Sequence, residues 1–158
     1  MEPISLAASV LGLLEASGKT ISFLTSIADA PNTAANVLTE CNALNAIFTQ
    51  VNDFISDQGQ QSTTRKSRIT LNFLAAALTG CMTAFLELDR VLRSLGVPMN
   101  DSDSTNYQFT FLDKLKWKAK EKSIDKILRD MQMHKSSLNF MVLIYLRSVA
   151  AYIDDFTS

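Results

Sequence analysis

RKSRITLNFLAAALTGCMTAFLELDRVLRSL, residues 65–95, is the stretch that decides the fold. Leu71, Leu74, Leu78, Cys81, Phe85, Leu88, Leu92 and Leu95 recur at alternating spacings of three and four, the seam of a helix packed in a bundle. The pattern predicts one long helix from about Arg65 to Leu95, stopped by Gly96 with Pro98 just beyond. Ala75, Ala76, Ala77 and Gly80 widen its apolar surface, so more than one neighbour is expected, the N-terminal helix among them.

The segment upstream repeats the logic. Val37, Cys41, Leu44, Phe48, Val51 and Ile55 form a second seam on a helix expected from about Thr33 to Ile55. Asn36, Glu40, Asn45, Asn52 and Asp53 sit off that seam and are expected on a wet face, and the polar run 57–64, DQGQQSTT, reads as a loop. Downstream, residues 98–108 form the longest loop. Phe109 to Phe156 then reads as a short helix around Leu112 to Ala119 leading into a long one. The seam of the long one is Ile124, Leu128, Met131, Leu138, Val142, Tyr145, Val149 and Tyr152, with Lys135 off pattern. His134 beside it reads as a surface residue. Residues 138–146, LNFMVLIYL, are apolar nearly all round, which implies burial on several sides and is too short to span a bilayer.

The N-terminal segment MEPISLAASVLGLLEASGKTISFLTSIADA, residues 1–30, is chemically distinct. No charge falls between Pro3 and Leu14, and only Glu2, Glu15, Lys19 and Asp29 are ionisable. Pro3 suits a first helical turn, while Asp29 and Pro31 mark the exit, so residues 1–29 form an apolar helix. Residues 3–28 would span about 39 Å, enough to cross a hydrocarbon core of about 30 Å if Glu15 and Lys19 found partners. Left alone, these charges oppose insertion. Small residues recur every fourth position at Ser5 and Ser9, at Ala8, Gly12 and Ala16, and at Gly18, Ser22 and Ser26, a pattern that lets helices approach closely in lipid or in a protein core. An acidic start and the Glu15 interruption argue against a signal peptide.

With 158 residues, 47% of them hydrophobic, the chain supports one core and one domain, 1–158. The expected architecture is therefore all-α, a bundle of four long helices plus one short helix. A net charge of −1 gives no reason to expect nucleic acid, but the charge is uneven. Residues 1–60 carry six acids and one base, whereas residues 111–135 carry eight bases and four acids. The two cysteines, Cys41 and Cys81, lie on apolar faces and read as reduced core residues of a cytoplasmic protein. No phosphate-binding loop, GxSxG, HExxH or CxxC motif occurs and there is a single histidine, so neither enzyme activity nor a cofactor or metal is expected.

The run FLDKLKWKAKEKSIDK, residues 111–126, is the candidate working surface. Lys114, Lys116, Lys118, Lys120 and Lys122 spread around the helix, Leu112, Leu115 and Ala119 mark its expected buried side, and Trp117 adds an interfacial ring. A solvated face partnered by Glu121 and Asp125 and a patch for anionic lipid headgroups or a partner both remain open.

MEPISLAASVLGLLEASGKTISFL, DAPNTAANVLTECNALNAIF and KLKWKAKEKSIDKILRDMQMHKSSLNFM together resemble the HeLo-like N-terminal domain of fungal STAND and NLR-type immune proteins over nearly the whole chain. That domain is related in fold to the four-helix bundle of the mixed-lineage kinase-like necroptosis effector and to plant resistance-protein helical domains. The resemblance implies a programmed cell-death module of fungal innate immunity. Such a module is cytoplasmic at rest and self-associates when a receptor or amyloid-motif signalling partner assembles. It then moves to the plasma membrane and permeabilises it by pore formation. The implied membrane-inserting residues are Ile4, Leu6, Val10, Leu11, Gly12, Leu13, Leu14, Ile21 and Phe23. The mechanism expected is conditional, with the N-terminal helix stored against the third and last helices until association releases it. The alternative is a non-toxic homotypic adaptor bundle, binding through the same helix or the lysine face.

Overall fold

The computed structural model describes residues 3–58, 65–96 and 107–157. They form an all-α bundle of four helices: α1 (Pro3–Ser26), α2 (Asn32–Gln58), α3 (Arg65–Ser94) and α4 (Phe111–Thr157). The expected short helix at Leu112 to Ala119 is the first two turns of α4, because nothing interrupts helix formation between Ala119 and Ile124. Of the loops expected at 57–64 and 98–108, residues 57–58 belong to α2 and 107–108 to a short strand, while 59–64 and 97–106 lie outside the described residues, as do the side chains of Ile4, Val149 and Tyr152.

The helices form a ring. α1 packs on α2 and α3, and α4 packs on the same two, so that α1 and α4 face each other across the diagonal. Asn45 on α2 meets Ser17 on α1, and Gly12 on α1 lies beside Met82 on α3. Thr33 and Glu40 on α2 meet Glu121 and Lys135 on α4, and Gly80 on α3 meets His134. Neighbours in sequence therefore run up and down alternately, and the parallel pairs are α1 with α3 and α2 with α4. The expected resting place of α1 is corrected in one respect: among the described residues it packs on α2 and α3 rather than on the last helix.

The termini follow local chemistry. Asp29, one of the few residue types that tolerate the left-handed region, takes φ 57° and turns the chain out of α1. Gly96 takes φ 73° and donates its N–H to Arg93 O at 3.0 Å, closing α3. Thr110 and Asp113 form a capping box at the start of α4: Thr110 N donates to Asp113 Oδ2 at 3.0 Å and Asp113 N to Thr110 Oγ1 at 3.3 Å. A two-residue parallel pairing, β1 (Ile27–Ala28) with β2 (Tyr107–Gln108), ties the start of α4 to the end of α1.

The core is the predicted seam of α2, all six residues buried, and that of α3 from Leu74 to Leu95. Leu6, Val10, Leu13, Phe23 and Leu24 of α1 and Trp117, Ile124, Ile127, Met131 and Leu138 of α4 complete it. Glu40 is not on a wet face. It is buried and accepts from Lys135 Nζ at 2.6 Å and from Gln132 Nε2 at 3.3 Å, which also explains Lys135 on an apolar seam. Asn45 likewise turns inward, donating to Ser17 Oγ at 2.8 Å, while that buried hydroxyl donates to Leu14 O. His134 is half-buried, with its imidazole occupying the space that a Cβ on Gly80 would need.

Candidate functional site

The residues expected to insert into a membrane divide by helix periodicity. Leu6, Val10, Leu13 and Phe23 point into the core, Gly12, Leu14 and Ile21 are half-buried at its edge, and Leu11 alone is well exposed, at 57%. Ile4 lies on the same helix with its side chain outside the described set. The outward face of α1 otherwise carries Ser5, Ala8, Glu15, Lys19, Ser22 and Thr25. Glu15 and Lys19, one turn apart, pair with each other at 3.1 Å. Of the two glycines in the small-residue ladder, Gly12 meets another helix closely: a Cβ there would sit 3.5 Å from Met82 Cε, whereas Gly18 has open space.

At the start of α4 the side expected to be buried is the exposed one. Leu112, Leu115 and Ala119 face solvent with Phe111, which is 76% exposed, while Asp113, Trp117 and Ile124 face the core. The capping box holds Asp113 inward, and the large indole follows one turn later, its ring centroid 6.0 Å from that of Phe109. Trp117 is thus a core residue, 1% exposed, and not an interfacial ring on the surface. Its Nε1 is buried without an acceptor. Lys114, Lys116, Lys118, Lys120 and Lys122 are all exposed, and none forms an ion pair among the described residues. Glu121, expected to partner them, instead accepts from Thr33 Oγ1 at 2.9 Å. Phe111, Leu115, Lys118 and Lys122 fall on one outward stripe, an amphipathic surface that the assumed buried side concealed.

Residues 138–146 are also corrected. Leu138 is buried, but Phe140, Leu143, Ile144 and Leu146 are exposed, because a helix in a four-membered ring has one inward face and this segment is apolar on both. Beneath them lies a hollow of about 410 Å³ lined in part by Val51, Phe54, Leu74, Met141 and Tyr145. Among the described residues one helical stretch, Leu71–Ser94 of α3, is long and apolar enough to cross a membrane; it is also the seam helix of the core. No group of three or more His, Cys, Asp or Glu side chains could hold a metal ion among the described residues. Burial pushes the Cys41 and Cys81 thiols up to about 12, with the Glu40 carboxylate adding to the effect at Cys41, so both stay protonated and inert.

No family model, curated protein or solved structure matches this chain.

Proposed function

We propose that this bundle is a HeLo-like membrane-permeabilising effector of a fungal immune-type system, resting in the cytoplasm and acting at the plasma membrane after self-association. The observation that carries the reading is the mutual pairing of Glu15 and Lys19. The only charges within α1 accompany one another, so the helix can leave the bundle for lipid without an unpaired charge. Release exposes Leu6, Val10, Leu13 and Phe23, each contributing about 1.5–3 kcal/mol when buried, and lipid or neighbouring subunits must offset that loss. The unpaired lysines of early α4 suit anionic headgroups, at about 1 kcal/mol per well-placed charge. A receptor or amyloid-motif partner would supply the trigger.

The test is dye release from vesicles containing anionic lipid. Leu11→Glu puts a charge on the exposed face of α1 and leaves the core intact, so leakage should fall at least about tenfold while the helical content stays the same. Unchanged leakage sinks the reading. Deleting residues 1–23 is a poorer test, since it removes four core side chains together with the helix.

The outward apolar face of α4, with Phe140 64% and Leu143 62% exposed, favours a second reading as a homotypic adaptor. That reading expects association without lipid, weakened by Phe140→Ser, and no leakage at any concentration.

A further inference from the structure

A second hollow, of about 400 Å³, opens where the turn after α1 meets the first turns of α4. Asp29, Pro31, Lys114, Trp117, Lys118 and Glu121 line it. Lys114 and Lys118 are one helical turn apart on the exposed side, with Trp117 on the adjoining inward side and Glu121 one turn beyond Trp117. The hollow therefore holds two cations and two carboxylates, and no ion pair forms among the four. Glu121 uses Oε1 for Thr33, leaving Oε2 available. Asp29 sits in the turn itself, in the left-handed region. The indole of Trp117 forms part of this wall, and its Nε1, the one buried side-chain donor without an acceptor among the described residues, is itself shut off from solvent.

We propose that this hollow binds a phosphate ester bearing a neighbouring primary ammonium, the chemistry of phosphoethanolamine. The phosphate oxygens accept from Lys114 and Lys118, and the ammonium donates to Asp29 and Glu121. A ligand of both signs joins charges that the fold keeps apart, whereas a simple anion would face two carboxylates with nothing to offer them. Phosphoethanolamine is far smaller than 400 Å³, so the hollow also has room for the glycerol end of a lipid headgroup. The inference deepens the reading of early α4 as a headgroup surface and rests on it only for the lipid form of the ligand.

The experiment is calorimetric titration of the whole chain with O-phosphoethanolamine, phosphocholine and inorganic phosphate. Saturable binding of phosphoethanolamine is expected, at least about fivefold tighter than phosphocholine, whose trimethylated nitrogen has no N–H for the carboxylates. Lys118→Gln, at an exposed position that leaves the core unchanged, should weaken it about tenfold. Absence of saturable binding, or binding indifferent to Lys118→Gln, overturns the proposal. Flotation with phosphatidylethanolamine against phosphatidylcholine vesicles assigns the source: selective flotation marks a lipid headgroup, and binding of the free compound alone marks a soluble ligand. Intact dye release without phosphoethanolamine binding would overturn only this site. Binding with no dye release would overturn only the permeabilisation reading.

Discussion

Helix α1 and residues 138–146 of α4 are both strongly apolar in sequence, and they are disposed in opposite ways. In α1 the large side chains Leu6, Val10, Leu13 and Phe23 point inward, and apart from Leu11 the outward positions are small, polar or mutually paired. In α4 Leu138 points inward while Phe140, Leu143, Ile144 and Leu146 remain in solvent. Apolar content therefore does not report which helix is held most loosely. α1 is stored by its large residues and could be accommodated in lipid by its small ones. The α4 segment is exposed at rest and is available to a partner immediately.

The largest expected effect that sharpens this contrast is a matched pair of truncations. Leu13→Ala should destabilise the bundle by about 3 kcal/mol in urea unfolding, and Leu143→Ala by less than about 0.5 kcal/mol. Comparable losses would break the comparison. Next is Lys135→Ala, which leaves the Glu40 carboxylate buried without its cation and should cost about 2 kcal/mol, the pair being partly exposed. Glu40→Gln combined with Lys135→Met should recover most of that loss, and additive penalties in the double variant would show that the two groups do not act together.

A smaller effect is expected at Gly80, where α3 and α4 close most tightly. Gly80→Ala forces the His134 imidazole aside and should cost about 1 kcal/mol despite the gain in helix propensity. In a His134→Ala background the same change should stabilise instead. The last effect vanishes at neutral pH. The Cys41 and Cys81 thiols ionise near 9.0 in the unfolded chain and near 12 in the fold, so the unfolded state sheds protons first. Stability should fall as pH rises from about 9 towards 12, and replacing both by alanine should flatten that slope over the same interval.

Much of the scaffold is legible in the sequence because α2 and α3 have one seam each and Gly96 stops α3, although α2 runs three residues past the expected end at Ile55. Gly96, Asp29 and the Thr110–Asp113 box fix where helices end and begin. The face of early α4 was not legible, since Leu112, Leu115 and Ala119 make as regular a stripe as Asp113, Trp117 and Ile124. The capping carboxylate and the volume of one indole decide between them. Lys135 on a seam signalled a carboxylate across the interface, and Glu40, next to the buried Cys41, was the available one. The ring order that places α1 beside α2 and α3 depends on pairings no periodicity encodes. The hollow at Trp117 likewise arises only when the turn at Asp29 meets α4.

The central claim is that α1 must leave α3 for the protein to act on membranes. Gly12→Cys and Met82→Cys, placed in a Cys41→Ala, Cys81→Ala background, put thiols on facing positions that a cleavable bis-maleimide linker can join. Dye release from anionic vesicles should be absent in the linked protein and return when the linker is cleaved. Equal release before and after cleavage would contradict the account, because α1 would then be acting, if at all, from within the bundle.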